Sequence, residues 1–484
     1  MSKKNQNYTN RKQNRFQPER MRGNVFVNNN GKRWLPGENG RAAKVERLLK
    51  GAKEERKEIA GNMAGYKDSG IEEVKFIPKD WNTLRMKDAF NISKEIIEDK
   101  WTEAALLSLT TNGVKSITAD EQVGKRPKTF ATYQRVTKND IVMCLFDLDA
   151  SAVFSGLSGY DGMISPAYKI LKTKEQVLPE FANYYFQYIF EGRKYKKYAK
   201  SIRYTLSGEE FLRLLIALPP LPEQQRIADF LDTKCGILDR TIDAVSRQIE
   251  DLEKYKKALI TKTVTKGICK KGEPERAMKD SGIEWIGEVP KEWSVKRNSL
   301  NFDIRKTLVG ENWSNMQLLS LTTNGVKNIT IDDQVGKRPK TLATYQIAHK
   351  NDIVMCLFDL DASAVFSGLC KENGIISPAY KLLKCKDGMF PSYAEYYFRA
   401  VFDGRKYKKY AKSIRYTIST NDFMHLKMPV PPLAEQQQIA DYLDEKCKNI
   451  DNRVQKRKQQ LEWLKEYKKS LIFDYVTGKK RVEE

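Results

Sequence analysis

A single basic segment, present twice, holds the densest chemistry in this chain of 484 residues. Gly192-Arg193-Lys194-Tyr195-Lys196-Lys197-Tyr198-Ala199-Lys200-Ser201-Ile202-Arg203-Tyr204-Thr205 carries six basic side chains and no acid, and Gly404 to Thr417 repeats it without change. Drawn as a helix at ~100° per residue, Arg193, Lys194, Lys196, Lys197, Lys200 and Arg203 fall on one half, and Tyr195, Tyr198, Ala199 and Ile202 on the other. The second copy offers Arg405, Lys406, Lys408, Lys409, Lys412 and Arg415. Cations so placed displace counterions from a duplex, which supplies salt-dependent affinity without reading sequence. A merely solvated basic face is the plainer alternative. A membrane-surface helix fits less well, because the apolar side lacks the Trp and Leu such helices favour.

A second set has the residue types that reach base edges. Thr110-Thr111-Asn112-Gly113-Val114-Lys115 with Lys125-Arg126-Pro127-Lys128-Thr129 is matched by Thr322 to Lys327 and Lys337 to Thr341. Asn pairs bidentately with adenine, and Arg or Lys with guanine. Base-reading candidates are therefore Thr111, Asn112, Lys115, Lys125, Arg126 and Lys128, with Thr323, Asn324, Lys327, Lys337, Arg338 and Lys340 in the second copy. The same residues also make ordinary loops.

The sequence contains no G-x-x-x-x-G-K-[ST] loop, no G-x-G-x-x-G after a strand and no H-E-x-x-H. Ser165-Pro166-Ala167-Tyr168 lacks the acidic or amide first residue that an amino-methyltransferase motif uses to hold its target amine. Asp147 and Asp149, two apart, read as a turn or an internal ion pair in preference to a metal site. With seven cysteines in no C-x-x-C pair and only His349 and His425, neither a disulfide framework nor a zinc site is expected. No catalytic residue and no metal is assigned.

These segments need a scaffold, and the scaffold is duplicated. Lys67-Asp68-Ser69-Gly70-Ile71-Glu72 returns as Lys279 to Glu284, and the offset of 212 holds through Leu107/Leu319, Pro166/Pro378, Arg193/Arg405, Gln224/Gln436 and Val264/Val476. Such periodicity decides architecture before any local feature. Within each copy, Asp140 to Phe146 reads as a buried strand, Gly156 to Gly162 as a loop, Met163 to Leu171 as a further strand and Pro179 to Ile189 as a helix. Asp352 to Phe358 and Pro391 to Phe402 follow suit.

Each copy then runs into a long heptad helix that starts at a proline-punctuated turn. In the first, Ala228, Cys235, Ile242 and Ile249 form one series, and Leu231, Leu238, Val245, Leu252 and Leu259 the other. In the second, Ala440, Cys447, Val454 and Leu461 accompany Leu443, Ile450, Leu464 and Leu471, with Arg457 alone interrupting. Two seams on one chain most simply bury each other. At ~1.5 Å per residue, ~40 residues make a rod of roughly 60 Å.

The fold expectation is α+β: two similar mixed α/β domains joined by two long helices pairing as an antiparallel coiled coil. The parts are a basic extension (1–62), first domain (63–221), first helix (222–266), linker (267–277), second domain (278–433), second helix (434–478) and tail (479–484). The formal charge of +24 favours a polyanionic partner, although the extension alone holds 16 Lys and Arg against 6 Glu. The extension reads as a solvated, largely disordered tail. No run approaches a membrane span and Met1-Ser2-Lys3-Lys4-Asn5 has no signal-peptide core, so a cytoplasmic location without membrane contact is expected.

Tyr66 to Glu72 ahead of Pro78 and Trp81, Leu218-Pro219-Pro220-Leu221-Pro222-Glu223-Gln224-Gln225-Arg226-Ile227-Ala228, Tyr255-Lys256-Lys257 and Val264-Thr265-Lys266-Gly267, all with second-half counterparts, resemble the DNA-specificity subunits of type I restriction-modification systems. The resemblance covers Tyr66 to Gly478. It implies two target-recognition domains reading a bipartite sequence in double-stranded DNA, and helices that act as a spacer and dock two methyltransferase subunits. Those partners would carry S-adenosylmethionine, and a motor/nuclease subunit would use ATP and Mg; no cofactor is expected in this chain, which is not itself an enzyme. Because Lys138 to Leu157 equals Lys350 to Leu369 at every position, similar half-sites are expected, giving a near-palindromic interrupted target. The copies diverge at Ser158 to Asp161 against Cys370 to Asn373, at Arg135 against Ile347, and through Asn82 to Ala105. A stand-alone structural DNA-binding protein is the alternative, separated by whether a methyltransferase subunit co-purifies.

Overall fold

The computed structural model describes residues 26–27, 33–34 and 65–482, apart from 112, 122–128, 149–153, 192–197, 199–203, 269–271, 273–275, 324, 334–340, 361–364 and 412–415. The basic extension thus lies outside the described residues except for two paired dipeptides, Phe26–Val27 and Arg33–Trp34.

Each globular part is built on two four-stranded sheets. In the first, Ser155–Leu157, Ile141–Met143, Lys169–Thr173 and Phe90–Ser93 lie side by side, all antiparallel. The other sheet orders Gly113–Ile117, Leu106–Thr110, Gly162–Ile164 and Gln134–Val136, with one parallel neighbour pair, Met163 opposite Leu106. The second part repeats both sheets in the same order. Strands are shorter than the apolar runs suggested. The Asp140 to Phe146 run pairs only over Ile141–Met143, and the Gly156 to Gly162 loop contributes residues to two strands. Met163 to Leu171 is broken at Ser165 to Tyr168, where Tyr168 N–H closes a turn on Ser165 O at 3.2 Å.

Four helices position the basic segments and carry the long seams: α1 (Pro179–Glu191), α2 (Leu221–Lys266), α3 (Pro391–Asp403) and α4 (Leu433–Val476). The Pro-x-x-Glu-Gln-Gln signature at the start of α2 is a clasp. Buried Gln224 accepts from Leu178 N–H at 2.8 Å and donates to Gln176 O and Pro219 O, both at 2.9 Å, while Glu223 accepts from the buried Trp81 indole at 3.1 Å. Gln436 and Glu435 make the same bonds to Phe390, Gly388, Pro431 and Trp293. A buried amide left unpaired costs ~1–3 kcal/mol, so full satisfaction fixes where each helix leaves its domain.

The chain divides into two compact units, residues 1–240 with 462–484, and residues 241–461. Sequence alone attaches each helix to the globular part before it. Instead, each unit takes the start of one long helix and the end of the other. In the first unit Ile227, Leu231 and Cys235 of α2 share a core with Ile472 and Val476 of α4, beside Trp81, Phe181, Tyr185 and Phe186. In the second, Ile439, Leu443 and Cys447 of α4 meet Ile260 and Val264 of α2, beside Trp293, Phe302 and Tyr393.

Both units show antiparallel helix pairing. In the second, Glu253 bridges Lys458 at 3.2 Å and Lys256 bridges Asp451 at 2.6 Å. In the first, Lys468 bridges Asp239 at 2.7 Å. Exposed pairs of this kind contribute only ~0–1 kcal/mol each, so burial of the seam supplies most of the stability. Leu231, Leu238, Val245, Ile249, Leu443, Ile450, Val454 and Leu464 are buried, whereas Ile242, Leu252 and Leu461 are half-buried. Arg457 hydrogen-bonds Gln460 at 2.7 Å and stays half-buried, so the break in the seam is filled by a polar pair. Burial pushes the Cys235 thiol up to about 11 and raises Cys447, which keeps both as small packing groups.

Two charges on α3, Glu395 and Arg399, have no counterpart in the first copy. Glu395 on α3, where the first copy has Asn183, is pushed up to about 7 by burial, against the opposing pull of Arg399 and with help from Asp444 and Asp403. A raised carboxyl stabilises the fold below its unfolded value, and that contribution is lost as pH rises through about 7. Glu395→Gln should therefore gain on the order of 1–3 kcal/mol over the parent at pH 8 and little at pH 4, checked by urea unfolding at both values. Ile472→Ala should cost about 2–5 kcal/mol in the first unit. Hydrogen exchange should then speed up in α1 and not in α3; equal protection of α1 before and after would contradict the shared core.

Candidate nucleic-acid interface

The basic segment follows α1 in the first unit and α3 in the second. Arg193, Lys194, Lys196, Lys197, Lys200 and Arg203 lie outside the described residues, as do Lys412 and Arg415. The described part of the second copy corrects the helical drawing. Helix α3 stops at Gly404, Arg405 takes a left-handed φ of 49°, and Lys406–Lys409 forms one 3₁₀ turn. With three residues per turn, Tyr407 and Tyr410 share the inner side. Tyr407 is buried, stacks on Phe402 at 5.6 Å and donates to Leu360 O at 3.1 Å.

The lysines around Tyr407 are positioned, not loose. Lys406 sits 5.9 Å from the centre of the Trp285 ring, Lys408 4.6 Å from that of Tyr416, and Lys409 pairs with Glu284. Arg405 and Lys409 are exposed; Lys406 and Lys408 are half-buried. The ring contacts hold ammonium groups at the surface at a gain of ~0.5–1 kcal/mol each.

The downstream end of the segment is clipped to the loop after the Ile353–Met355 strand. Ile418 N–H donates to Leu357 O at 2.8 Å and Leu360 N–H to Tyr416 O at 3.4 Å. In the first unit Leu206 N–H donates to Leu145 O at 2.8 Å and Leu148 N–H to Tyr204 O at 3.3 Å. Asp147 and Asp359 adopt left-handed φ of 51° and 50°. Asp149 lies outside the described residues.

The described base-reading candidates fall on one hairpin in each unit. Leu106–Thr110 and Gly113–Ile117 form a hairpin closed by Gly113 at φ 87°, with Thr110 Oγ1 donating to Gly113 O at 2.9 Å. Thr111 at its tip and Lys115 on the edge strand are exposed, as are Thr323 and Lys327 in the matching hairpin. Asn112, Lys125, Arg126, Lys128, Asn324, Lys337, Arg338 and Lys340 lie outside the described residues. Among positions where the copies differ, Arg135 is held by Glu95 at 3.0 Å, and Asn328 donates to Glu372 at 2.7 Å.

Sequence reasoning missed Phe146 and Phe358, assigned there to a buried strand. They are 37% and 40% exposed, because pairing ends three residues earlier. Their only sequence signal was the following Asp-Leu-Asp, which turns the chain out of the sheet.

Among the described residues no helix is long and apolar enough to cross a membrane. Residues 78–254 and 371–463, together more than half of the chain, match the family described as type I restriction modification DNA specificity domain. The MjaVIII specificity subunit of a type I restriction enzyme from Methanocaldococcus jannaschii is 25% identical over 458 residues, 87% of this chain and 98% of that protein. A putative MjaX specificity subunit from the same organism is 22% identical over 447 residues, covering 86% and 98%. A chain from a solved structure of a type I R-M system shares the fold at a TM-score of 0.60 and 14% identity, covering 83% of this chain and 98% of that one. The chain belongs to the type I restriction-modification DNA-specificity family, whose members are the non-catalytic specificity subunits of their complexes.

Proposed function

We propose that this specificity subunit reads a bipartite, interrupted DNA target whose two half-sites are nearly the same sequence in inverted order. The observation that carries the reading is the identity of the two copies at exposed positions, namely the hairpin tips Thr111 and Thr323, the edge lysines Lys115 and Lys327, and Lys138 and Phe146 against Lys350 and Phe358, within a stretch, Lys138 to Leu157 against Lys350 to Leu369, that is the same throughout. Identical readers recognise identical bases, and a twofold relation between them on the duplex would set the half-sites in inverted order. On this reading Arg193 to Arg203 and Arg405 to Arg415 contact phosphates, while the hairpin tips and the Lys125 to Lys128 and Lys337 to Lys340 loops approach base edges. Arg135 against Ile347 is the most conspicuous place for one base to differ.

The partners on this reading are double-stranded DNA, two methyltransferase subunits that bring S-adenosylmethionine, and a translocating nuclease that brings ATP and Mg. The MjaVIII relative, named as the specificity subunit of a restriction enzyme, supports such an assembly.

Methylome sequencing of cells expressing this chain with its methyltransferase subunits should show one interrupted motif whose halves match, in inverted order, at all but one or two positions. Two unrelated half-sites would refute the reading. In the assembled complex, Arg405→Gln and Lys409→Gln should each reduce the slope of log affinity against log salt by about one, with sequence preference unchanged. An unaltered slope would remove these two residues from the phosphate contact.

A further inference from the structure

Phe146 and Phe358 occupy equivalent positions, are identical in both copies, and expose about as much ring as each other, 37% and 40%. Neither is loosely placed. Phe146 packs against Tyr168 with ring centres 5.9 Å apart, and Phe358 against Tyr380 at 6.1 Å. The backing tyrosine is itself fixed: Gln134 Nε2 donates to Tyr168 O at 2.9 Å, and Gln346 Nε2 to Tyr380 O at 3.0 Å. Immediately after each phenylalanine the backbone turns left-handed at Asp147 or Asp359, whose N–H faces Thr205 or Thr417 Oγ1 at 3.4 Å. A non-glycine residue holds that conformation only where surrounding bonds enforce it.

The thread connecting these facts is the partner of the turn. Thr205 and Thr417 are the last residues of the two basic segments, and in the second unit Tyr416, whose carbonyl accepts the Leu360 N–H two residues past Phe358, lies 4.6 Å from the Lys408 ammonium. A polyanion held at Lys408 is thus brought to the same loop that presents Phe358. Exposed apolar surface has a transfer cost that burial against a ligand recovers.

We infer that Phe146 and Phe358 are specificity-determining residues, each pressing its ring against the apolar edge of one base in its half-site, the 5-methyl group of a thymine in the major groove. The inference rests on the reading of the chain as a DNA reader. A wedge between base steps fits less well: more than half of each ring is covered and backed by a tyrosine, so it cannot enter the stack without leaving its seat.

The test uses the complex assembled with its methyltransferase subunits and duplexes bearing its methylome-defined target, with each thymine replaced in turn by uracil, which lacks only the methyl group. In the parent, one replacement per half-site should weaken binding about three- to tenfold, the worth of one buried methyl. Phe146→Ala should abolish that dependence in one half-site and Phe358→Ala in the other, while Phe→Leu at either position should keep part of it. Alanine variants that retain the parent's thymine dependence, or a parent indifferent to every replacement, would overturn the inference while leaving sequence-specific binding intact. Alanine variants that lose the methyltransferase subunits with thymine dependence unaltered would also overturn it and assign the rings to a protein contact. A parent complex with no sequence preference would instead overturn the underlying reading.

Discussion

Neither globular core closes without apolar residues that arrive from the far end of the other long helix. Ile472 and Val476 complete the first, Ile260 and Val264 the second. The closure spans most of the chain: Tyr66 donates to Gly478 O across 412 residues. Distance in sequence is a modest obstacle, since each doubling of a loop adds only ~0.6 kcal/mol of closure entropy. Burying one Ile or Val side chain returns ~1.5–3 kcal/mol, so two such residues outweigh several doublings. The cost appears in rate, because contacts this distant in sequence form late.

Polar groups set direction where apolar ones set strength. At each helix start the glutamate takes the tryptophan indole and the first glutamine caps a turn. Arg481 from the C-terminal tail pairs with Asp80 and lies 3.7 Å from Glu223, and Arg276 from the linker pairs with Glu292 and Glu435. The two arginines thus play equivalent parts although one precedes a domain and the other follows everything. The duplication is circular in its contacts as well as linear in its sequence.

The long helices and the repeat were legible because heptad spacing and a fixed offset are properties of sequence alone. Leu231 or Leu443 is buried because it recurs every seven residues, whatever it meets. The make-up of each unit was hidden, since nothing local tells Val476 that its neighbours include Trp81. The basic segment misled for a different reason. Its period suits a helix, but Gly404 and left-handed Arg405 end α3 first, and the tight turn then seats Tyr407 in an aromatic stack. Phe146 misled because an apolar residue at the end of an apolar run reads as core, while the strand had already stopped at Met143.

Comparison of the copies separates what the fold requires from what it does not. Buried positions have drifted: Met86 against Asn298, Val136 against Ala348, Met163 against Ile375, Phe181 against Tyr393 and Ala217 against Pro429 all differ while both members stay buried. A set of exposed positions has not: Lys115, Lys138 and Phe146 recur as Lys327, Lys350 and Phe358. Selection for stability alone would give the opposite pattern, since core substitutions commonly cost ~0.5–3 kcal/mol and exposed ones within about ±0.5. Identity at those exposed positions beside a varied core is what a constraint imposed from beyond the chain would leave. A ligand that presents the same chemistry to both domains is the simplest such constraint, and a repeated half-site in DNA is a ligand of that kind.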